Sequence, residues 1–493
     1  MLTDIFFKPG SFVYFIGIKG TGVCALAELV HNAGIKISGS DIDEEFYTDA
    51  ILKELDIPFY NGFDKAHITG DIDMIIYSAA YSADSNPELA RAQEINIPMI
   101  KYTDALGAWS SRFDSTGVCG VHGKTTTTAI CGVLMRAAGL PAQTLVGSAA
   151  IDFGGRSTLN LGNKYFIAET CEYRRHFMSF RPQRIILTSV ESDHQDYFST
   201  YESIRDAFVE YCRLLPDGGQ LIHCADDFGA CEVANIIKND NRNIDIIPYG
   251  FNAPGDFRII SFNVKDERSV FSIAGIPGEI KMRLPGRHEA LNAAAALALT
   301  VSLVREETES ALNEKQIFSI KAALENFKST KRRSEIIGEA GGIIFMDDYG
   351  HHPTAIKTTL EGIKNFYPER RLIVSFMSHT YTRTAALLEE FSGCFNDADI
   401  LFLHKIYASA REDYSGGVNG MTLYEKAAAV RSAVAGEKET FYIEEFLDAF
   451  TPLCKLLKDK DIFITLGAGN NWPLGEKLFA HFNNSHTAAE NRG

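Results

Sequence analysis

The sequence predicts an α/β protein with mostly parallel sheets and about three domains. Short apolar, β-branched runs alternate with stretches of helical periodicity almost throughout the chain, and this pattern favours parallel sheets with helices on their faces. The chain has 493 residues, which is too many for one hydrophobic core. Hydrophobic residues make up 45% of it and charged residues 23%, as in an ordinary folded protein.

The predicted strands and helices fall into three blocks. The first has strands over 12–16, 35–38 and 73–77 and a helix over 22–33. The second has strands over 114–119, 165–168 and 185–189 and a helix that begins at Lys124. The third has strands over 342–346, 372–376, 400–404 and 462–466. We therefore predict domains over residues 1–110, 111–330 and 331–493.

The composition disfavours several classes of partner. The 64 acidic and 48 basic residues give a net charge of −16, which disfavours binding to nucleic acid and to anionic membranes. No apolar run approaches the roughly 20 residues that span a bilayer, and residues 1–4 do not begin a signal peptide. The nine cysteines form no CxxC pair, so we expect buried thiols. These observations predict a cytoplasmic protein.

The segment Gly120-Val121-His122-Gly123-Lys124-Thr125-Thr126 lies between a predicted strand and a predicted helix. Glycines allow backbone N–H groups to curl around phosphate oxygens, and a helix N-terminus favours an anion. Lys124 can reach the β- and γ-phosphates of a nucleotide, and Thr125 can bind Mg²⁺. Val118 stands where the common GxxxxGK[ST] pattern has its first glycine. The alternative is a glycine-rich turn with a chance lysine.

This loop resembles the shortened G-x-x-G-K-T-T loop of the Mur ligase family, whose members add amino acids to cell-wall precursors. The resemblance implies a Rossmann-like N-terminal domain for a UDP-sugar, a central P-loop-type ATPase domain and a Rossmann-like C-terminal domain for an amino acid. All seven loop residues then bind ATP, with Lys124 catalytic. ATP converts a carboxylate into an acyl phosphate, which an amine attacks to give an amide. In the alanine-adding branch the substrates are UDP-N-acetylmuramate and L-alanine, and the cofactors are ATP and Mg²⁺.

Two segments at strand ends supply further metal ligands by resemblance. Glu169-Thr170-Cys171-Glu172-Tyr173-Arg174-Arg175-His176-Phe177 resembles E-A-C-E-Y-R-R-H-F, which makes Glu169 a catalytic Mg²⁺ ligand beside Thr125. For Glu169 alone, a surface glutamate is the alternative. Val190-Glu191-Ser192-Asp193-His194-Gln195-Asp196 resembles the end of N-x-x-x-D-H-x-D, which makes His194 a catalytic ligand of a second Mg²⁺. Chemistry alone favours a structural or acid–base histidine there, because imidazole is an unusual ligand for Mg²⁺.

Two further motifs resemble nucleotide contacts of the family. The segment that contains His288 and Asn292 is similar to G-x-H-N-x-x-N-A, which lies against adenine in the family. This resemblance assigns both residues to the nucleotide. Glu289 replaces the first asparagine of that motif. Arg332 and Arg333 resemble an arginine pair of the family that contacts the γ-phosphate. Of the two, we favour Arg332 as the catalytic residue. The alternatives are an alanine-rich helix and a solvated run of charges.

The segment Asp347-Asp348-Tyr349-Gly350-His351-His352-Pro353-Thr354 follows a predicted strand. A zinc site is disfavoured, because adjacent histidines point in different directions and no third ligand has suitable spacing. The segment resembles D-D-Y-x-H-H-P-T of the alanine-adding branch. The resemblance assigns Asp348 to the ribose, Tyr349 to packing on the nucleotide and His352 to the reacting centre as a catalytic residue.

Two segments are assigned to the incoming amino acid by resemblance. Residues 378–384 and 407–412 resemble H-x-Y-T-R-T and Y-x-S-A-R-E, which would hold the incoming amino acid. His379 and Arg383 are the predicted contacts, and the Arg383 guanidinium can pair with a carboxylate. Arg174 is a further predicted substrate contact.

A glycine turn, Gly17-Ile18-Lys19-Gly20-Thr21-Gly22, lies in the first block, and Asp41 lies 19 residues past Gly22 (41 − 22). These residues alone favour an NAD-binding dehydrogenase domain, although the spacing is GxxGxG rather than GxGxxG. The alanine-adding branch has G-I-G-G-x-G here and binds the uridine diphosphate of UDP-N-acetylmuramate. By resemblance the substrate residues are Gly17, Lys19, Gly20, Thr21, Gly22 and Asp41. Lys19 is either a diphosphate contact or solvated.

Three alternative functions compete with this interpretation. A murein-peptide recycling ligase would join a tripeptide instead, but the form of the segment 169–177 disfavours it. An NAD-dependent UDP-sugar dehydrogenase or a non-catalytic nucleotide-binding protein is disfavoured by the complete set of lysine, metal ligands and arginines. We expect a monomer or a weak dimer.

Overall fold

The computed structural model describes residues 7–240, 242–408, 412, 417–434 and 438–490. Along the chain, its sheets have five strands, then seven, then three, then six. The predicted α/β architecture with parallel, Rossmann-like sheets is confirmed. Within the described residues, no helix has the length and apolar character needed to cross a membrane.

The first sheet is parallel, with strand order β3-β2-β1-β4-β5. Its strands are β1 (Phe12–Ile16), β2 (Lys36–Asp41), β3 (Phe59–Asn61), β4 (Met74–Tyr77) and β5 (Met99–Lys101). Its helices are α1 (Thr21–Asn32), α2 (Tyr47–Glu54), α3 (Pro87–Glu94) and α4 (Tyr102–Ser110), with a 3₁₀ turn at Lys65–His67. The strand order reverses between β1 and β4, which leaves a crevice at the carboxyl ends of these strands. The glycine turn after β1 lies at that crevice.

The central sheet has strand order β12-β11-β10-β6-β9-β7-β8, and β8 alone pairs antiparallel. Its strands are β6 (Asp114–Cys119), β7 (Ala142–Ala150), β8 (Arg156–Asn160), β9 (Tyr165–Glu169), β10 (Arg184–Leu187), β11 (Gln220–Cys224) and β12 (Asp245–Tyr249). Its helices are α5 (Lys124–Ala138), α6 (Tyr201–Cys212), α7 (Phe228–Asn239), α8 (Arg287–Thr308) and α9 (Glu314–Asn326), with 3₁₀ turns at Ile151–Phe153 and Tyr173–Ser179. Because β6 lies between β9 and β10, the loops after these three strands meet at one edge.

The small antiparallel sheet follows, with strands β13 (Ile259–Val264), β14 (Ser269–Ile273) and β15 (Ile276–Met282). The last sheet has order β16-β17-β21-β18-β19-β20 and is parallel except for β16. Its strands are β16 (Glu335–Ala340), β17 (Ile343–Asp348), β18 (Arg371–Phe376), β19 (Ile400–Leu403), β20 (Glu439–Tyr442) and β21 (Asp461–Leu466). Its helices are α10 (Pro353–Phe366), α11 (Tyr381–Ala386), α12 (Leu388–Gly393), α13 (Gly420–Val434), α14 (Phe450–Leu456) and α15 (Trp472–Glu490), with a 3₁₀ turn at Phe446–Ala449.

Apolar packing joins the first and central sheets more closely than it joins the last one. One cluster of buried side chains extends from the first sheet through the central and small sheets. The last sheet has separate clusters of its own. In the central unit, α8 packs on α5, and the alanines of residues 293–296 on α8 are fully buried. Small side chains there allow two helices to approach closely, which fixes α8 behind the helix that begins at Lys124.

Polar contacts also tie the first sheet to the central one. The guanidinium of Arg156, on β8, pairs with Glu28 of α1, and its Nη2 lies 2.8 Å from Glu54 Oε1 of α2. The hydroxyl of Tyr47 lies 3.2 Å from Ser157 Oγ. These contacts hold the first crevice over the edge of the central sheet.

The predicted elements agree with the structure to within a few residues at their ends. Strand β2 runs on to Asp41 and β17 to Asp348, because backbone pairing continues past the apolar residues that marked these strands in the sequence. No strand was predicted at β3, β5, β7, β8, β11, β12, β16 or β20, or in the small antiparallel sheet. In β13 the exposed and buried positions do not alternate regularly, so no period-2 signal marks it.

Candidate active site

The phosphate loop has the predicted strand–turn–helix shape. Gly120 and Gly123 adopt φ of 134° and 79°, which side chains with a Cβ rarely allow. A Cβ at Gly120 would lie 2.1 Å from Thr188 Oγ1, and one at Gly123 would lie 2.6 Å from Asn292 Oδ1. The loop is therefore pressed against the end of β10 and against α8, and only glycine fits at these two positions.

Side chains from β10 and α8 hold the loop in place. The Ser189 hydroxyl accepts the His122 N–H at 2.9 Å, and the Ser189 carbonyl accepts the Val121 N–H at 3.1 Å. Ser189 takes the position that resembles the asparagine of the family motif. Asn292 Oδ1 accepts from the Thr127 hydroxyl at 3.2 Å. These contacts orient the loop before any phosphate arrives.

Lys124 forms a buried ion pair with Glu172. Lys124 Nζ lies 3.0 Å from Glu172 Oε2 and also donates to the Gly120 carbonyl. Burial alone would lower the pKa of Lys124, but the acidic groups around it, Glu172 first and Glu169 among the others, together outweigh burial and leave the pKa raised. Burial alone would likewise raise the pKa of Glu172, but Lys124 and His194 leave it lowered. Both groups are therefore charged at neutral pH.

Glu172 also contacts the predicted metal ligand His194. Its Oε1 lies 3.3 Å from His194 Nε2, and the Glu172 side chain is only 1% exposed. His194 has a φ of 54°, a conformation that is uncommon for a histidine and that aims its side chain into the cleft beside Lys124. One buried carboxylate therefore connects the loop lysine with the histidine after β10.

A cleft of about 420 Å³ brings the predicted catalytic residues together. Among the residues that line it are Lys124, Thr125, Glu169, Glu172, His194, Arg332, His352 and Arg383. Glu169 lies at the end of β9, where its Oε2 accepts the Gly147 N–H at 2.8 Å. The five predicted catalytic residues and the three predicted metal ligands thus share one cavity between the central and last sheets.

A second cavity of about 360 Å³ lies next to the first. Its lining includes Thr126, His288, Asn292 and Asp348, and His122, Gly123 and Thr125 line both cavities. Tyr349 lines the first cavity instead. The predicted nucleotide residues therefore form a continuous surface from the phosphate loop to α8 and β17.

Polar pairs fix the residues of the second cavity. Glu289 Oε2 accepts from Asn292 Nδ2 at 3.2 Å, and Glu289 Oε1 lies 3.4 Å from His288 Nε2. Asp348 accepts the N–H groups of Ser334 and Gly350, each at 2.7 Å. Burial raises the pKa of Asp348, although the Arg333 guanidinium opposes this shift. Glu289, which departs from the family motif, thus positions the two residues on either side of it.

The two candidate arginines differ in their surroundings. Arg332 Nε donates to Asp347 Oδ2 at 2.9 Å, and Arg332 Nη2 donates to the Gly467 carbonyl at 2.6 Å. Arg333 lines both cavities. The ring of Tyr349 lies between them, 5.1 Å from Arg332 Cζ and 5.0 Å from Arg333 Cζ. Arg332 is held within the last domain, whereas Arg333 faces the junction of the cavities.

Arg383 pairs with a carboxylate of the central domain. Its Nε and Nη2 donate to Asp193 Oδ1 at 3.0 and 2.8 Å. Burial alone would raise the pKa of Asp193, but Arg383, together with the weaker effects of His194 and His351, outweighs burial and holds the pKa well below its usual range. Burial and Arg383 together lower the pKa of His379 to about 4, so its imidazole is neutral at pH 7. The two predicted amino-acid contacts thus adjoin His194 across the interface.

The glycine turn of the first sheet is closely packed. Gly17 has a φ of 85°, and a Cβ there would lie 2.9 Å from atoms of Ser78 and Tyr81. A Cβ at Gly22 would lie 2.7 Å from the Tyr102 hydroxyl. Burial, and then the charge of Glu169, raise the pKa of Tyr102. Tyr102 therefore packs on the turn of the first domain and lies close enough to Glu169 for its charge to act on the phenol.

The surroundings of the Lys19 side chain were not predicted from the sequence. It is 2% exposed, so it is not solvated. Its Nζ lies 3.1 Å from Asp49 Oδ1 and donates to the carbonyls of Ile42 and Glu44 at 3.1 and 2.8 Å. These contacts engage all three ammonium protons, and substrate binding by the Lys19 side chain, which would have to replace one of them, stays a prediction. The Asp41 carboxylate accepts the Lys19 N–H at 2.7 Å and orders the turn.

We expect Lys19→Met to lower the free energy of unfolding by about 3 kcal/mol, because it leaves Asp49 buried without its cation. Lys36→Met is the matched control. Lys36 forms an exposed pair with Asp71 at 3.8 Å, and its loss should change stability by less than about 1 kcal/mol. Urea denaturation of both variants measures the difference. Equal midpoints for the two variants would contradict the structural role of Lys19.

Two further predicted segments contribute less to the cleft. Arg174 is exposed, has a φ of 50° and lies 5.4 Å from the Tyr173 ring, outside both cavities. Residues 409–411 of the predicted Y-x-S-A-R-E segment lie outside the described residues. Glu412 is described, and its carboxylate accepts the N–H groups of Tyr381 and Thr382 at 2.8 and 2.7 Å. It therefore holds the start of α11, which carries Arg383.

Sequence models of one family match the chain in three successive parts. The Mur ligase catalytic domain matches residues 12–114, the Mur ligase middle domain residues 118–300, and the Mur ligase glutamate ligase domain residues 332–469. The chain belongs to the Mur ligase family. Members of this family are ATP-dependent ligases, and the phosphate loop and cleft described above fit that activity.

Named Mur ligases resemble the chain over nearly its whole length. The UDP-N-acetylmuramate–L-alanine ligase of Treponema pallidum (strain Nichols) is 47% identical over 470 residues, covering 95% of this chain and 96% of the relative. The enzyme of that name from Borreliella burgdorferi is 38% identical over 473 residues, covering 94% and 98%.

Solved Mur ligase structures share the fold. The UDP-N-acetylmuramate–alanine ligase of Thermotoga maritima has a TM-score of 0.73 at 22% identity, covering 96% of this chain and 99% of that chain. A murein peptide ligase from Psychrobacter arcticus has a TM-score of 0.63 at 20% identity, with coverage of 96% and 99%.

The sequence did not assign roles to several residues of this Mur ligase site. Glu172 and Asp193 stand next to predicted residues in the quoted motifs, but their partners are distant in sequence. Asp226 and Asp227 line the second cavity, directly after β11. The rule that functional residues follow the carboxyl ends of parallel strands would have found them, had β11 been predicted.

Proposed function

We propose that the chain is an ATP-dependent ligase that joins L-alanine to the carboxylate of UDP-N-acetylmuramate during peptidoglycan precursor synthesis. One observation carries this proposal. A single cleft holds the phosphate-loop lysine, the carboxylate and imidazole predicted to bind metal, and side chains of the last domain predicted to bind an amino acid. The names of the similar relatives support the same substrates.

ATP is proposed to lie along the two adjacent cavities. The N–H groups of Gly120–Thr126 and the ammonium of Lys124 would hold its phosphates. His288 and Asn292 would lie at adenine, Asp348 at the ribose, and Tyr349 against the nucleotide. Either Arg332 or Arg333 would contact the γ-phosphate. Arg333 is better placed for this contact, because the guanidinium of Arg332 is engaged by Asp347 and Gly467.

Thr125, Glu169 and His194 are the proposed Mg²⁺ ligands. A hydroxyl and a carboxylate are the hard oxygen donors that Mg²⁺ prefers, and all three side chains line one cleft. Bound Mg²⁺ would neutralise charge between ATP and the muramyl carboxylate. Glu172 keeps Lys124 protonated and orients His194. It therefore fixes the position of the ammonium group relative to the metal-binding imidazole.

The substrates are proposed to enter from opposite sides of the cleft. Gly17, Gly20, Thr21, Gly22 and Asp41 would bind the uridine diphosphate in the first crevice, and Tyr102 packs on the glycine turn close to Glu169. Arg174 remains a proposed substrate contact on the exposed side.

L-Alanine would bind at His379 and Arg383, on the last domain. Burial lowers the pKa of His352, so its imidazole is neutral beside the reacting groups. Closure of the last domain over the cleft would exclude water, which would otherwise hydrolyse the acyl phosphate.

We also propose the bounds of the three domains, the cellular location and the oligomeric state of the protein. We place the UDP-sugar domain at residues 1–110, the ATPase domain at 111–330 and the amino-acid domain at 331–493. We propose a cytoplasmic monomer or weak dimer.

Phosphate release in the presence of ATP, Mg²⁺ and UDP-N-acetylmuramate tests the reaction. We expect stimulation by L-alanine, with L-serine, glycine and the tripeptide of the recycling reaction as comparison substrates. Omission of UDP-N-acetylmuramate and addition of EDTA are the controls. If no amino acid stimulates release, the proposed reaction is wrong, and if only the tripeptide does, the recycling reaction replaces it.

A further inference from the structure

Two histidines and a glutamate converge where the phosphate loop meets the last domain. His122 comes from the loop after β6, Glu191 from the loop after β10, and His352 from the start of α10. His122 Nε2 lies 2.8 Å from Glu191 Oε2, and His352 Nδ1 lies 3.6 Å from the same oxygen. One donor atom from each residue falls within 4.8 Å of the other two. This cluster is separate from Thr125, Glu169 and His194.

The surroundings leave these donors oriented for a ligand. Glu191 Oε1 accepts from the Thr354 hydroxyl at 2.6 Å, which fixes the carboxylate and directs its other oxygen at the histidines. His352 is 4% exposed. Its Nδ1, the nitrogen that faces Glu191, also accepts the Thr354 N–H at 3.3 Å, and a metal bound at Nδ1 would replace that contact. Its Nε2 has no hydrogen-bond partner among the described residues. A carboxylate held by an outer hydrogen bond beside two imidazoles is a common arrangement at protein metal sites.

We propose that His122, Glu191 and His352 form a binding site for a transition-metal dication of the Zn²⁺ class. Imidazole with one carboxylate suits Zn²⁺ and Co²⁺, whereas Mg²⁺ prefers oxygen ligands. Tetrahedral Zn²⁺, at about 2.0–2.1 Å from each ligand, needs donor atoms separated by roughly 3.3 Å. The distances of 2.8 and 3.6 Å lie on either side of that value. The fourth position is left for water or a phosphate oxygen.

A metal at this site would join two domains. His122 belongs to the phosphate loop, and His352 begins a helix of the last domain. Their rings already lie 5.1 Å apart. A metal bound to both would fasten the last domain to the loop and hold the two domains closed. Binding of Zn²⁺ should therefore raise the melting temperature of the whole chain, and the rise should grow with the logarithm of the free Zn²⁺ concentration above its Kd.

Zn²⁺ titration of the chelator-treated, full-length protein against a chromogenic chelator tests the proposal. We expect one equivalent of Zn²⁺ per chain to bind, and excess Mg²⁺ to leave that binding unchanged. Co²⁺ in place of Zn²⁺ should give the visible absorption of a four-coordinate nitrogen–oxygen site, without a sulfur charge-transfer band. His122→Asn, Glu191→Gln and His352→Asn should each weaken binding by at least about 10-fold, and Thr354→Ala by about 10-fold.

Three matched variants distinguish this site from other donors. His31→Asn removes a histidine of α1, His194→Asn removes the proposed Mg²⁺ ligand, and Cys171→Ser removes the exposed thiol. Each should keep the Zn²⁺ equivalent. The proposal is overturned if no equivalent binds, if the three ligand variants bind as the parent does, or if binding is lost with His194→Asn or Cys171→Ser. These outcomes do not depend on the ligase reaction.

Discussion

Lys124→Met is expected to lower the kcat of alanine-stimulated phosphate release by about 10³-fold or more. The transferring phosphoryl group carries developing charge, and removal of one preorganised cationic donor from such a site has effects of this size. Methionine retains the length and apolar stem of lysine. The lost rate therefore reports the charge, since the packing of the loop is kept. Steady-state assays with each substrate saturating measure the change.

The same substitution should also affect stability, through Glu172. In Lys124→Met, the carboxylate of Glu172 stays buried and loses its ammonium partner, while its contact with His194 at 3.3 Å remains. A buried charge that loses its partner typically lowers the free energy of unfolding by about 3 kcal/mol. The double variant Lys124→Met/Glu172→Gln removes the unpaired charge, so it should regain stability without regaining activity.

This pair of variants separates the two roles of Lys124. Recovery of both stability and turnover in the double variant would show that Lys124 acts only by neutralising Glu172. Full turnover of Lys124→Met alone would contradict the role given to the loop. Equilibrium binding of ATP, measured separately, shows whether the lost rate arises in the chemical step or in nucleotide affinity.

Local features of the site could be predicted from the sequence, because their causes are local. The positive φ of Gly120 and Gly123 follows from glycine in a strand–turn–helix connection, and the helix begins at Lys124 as expected. Glu169 lies at the carboxyl end of its strand, where parallel strands place functional groups. These features depend on residues close together in the chain. The periodicity of apolar residues and the spacing of glycines therefore predict them.

Contacts between distant segments could not be predicted in this way. Glu172 meets Lys124 across 48 residues, and Asp193 meets Arg383 across 190. The sequence shows each of these charged side chains but not which one neutralises it. Lys19 illustrates the same limit, because its burial depends on how α2 brings Asp49 over the glycine turn. Pairing of buried charges is a property of the assembled fold.

Asp193→Asn is expected to lower the free energy of unfolding by about 3 kcal/mol at pH 7, because it removes the charge opposite a buried guanidinium. Asp193 and Arg383 are 3% and 6% exposed, so water can replace little of the lost interaction. The pair joins the central domain to the last one. Its loss should therefore also raise the KM for L-alanine while the affinity for ATP stays near that of the parent.

The pH dependence of that difference identifies the ion pair as its cause. The folded-state pKa of Asp193 is depressed by Arg383. Its contribution is therefore complete above the unfolded-state pKa of about 3.9, and it is lost as the pH falls from there through the folded-state pKa. Asparagine does not titrate, so the urea midpoints of parent and variant should converge as the pH is lowered from 5 towards 3. A difference that stays constant over this range would point to packing instead.

Arg383→Lys is expected to separate the ion pair with Asp193 from binding of the amino acid. Lysine keeps the charge opposite Asp193 but lacks the guanidinium geometry that lets Nε and Nη2 bind one carboxylate while further donors remain. We expect this variant to retain most of the stability of the parent and to show a KM for L-alanine raised by about 10-fold or more, from the loss of one charge-assisted hydrogen bond. The substitution would then lower the affinity for the amino acid while leaving the stability of the protein largely unchanged. Such a result would mean that Asp193 holds Arg383 in place while the remaining guanidinium donors bind the substrate carboxylate.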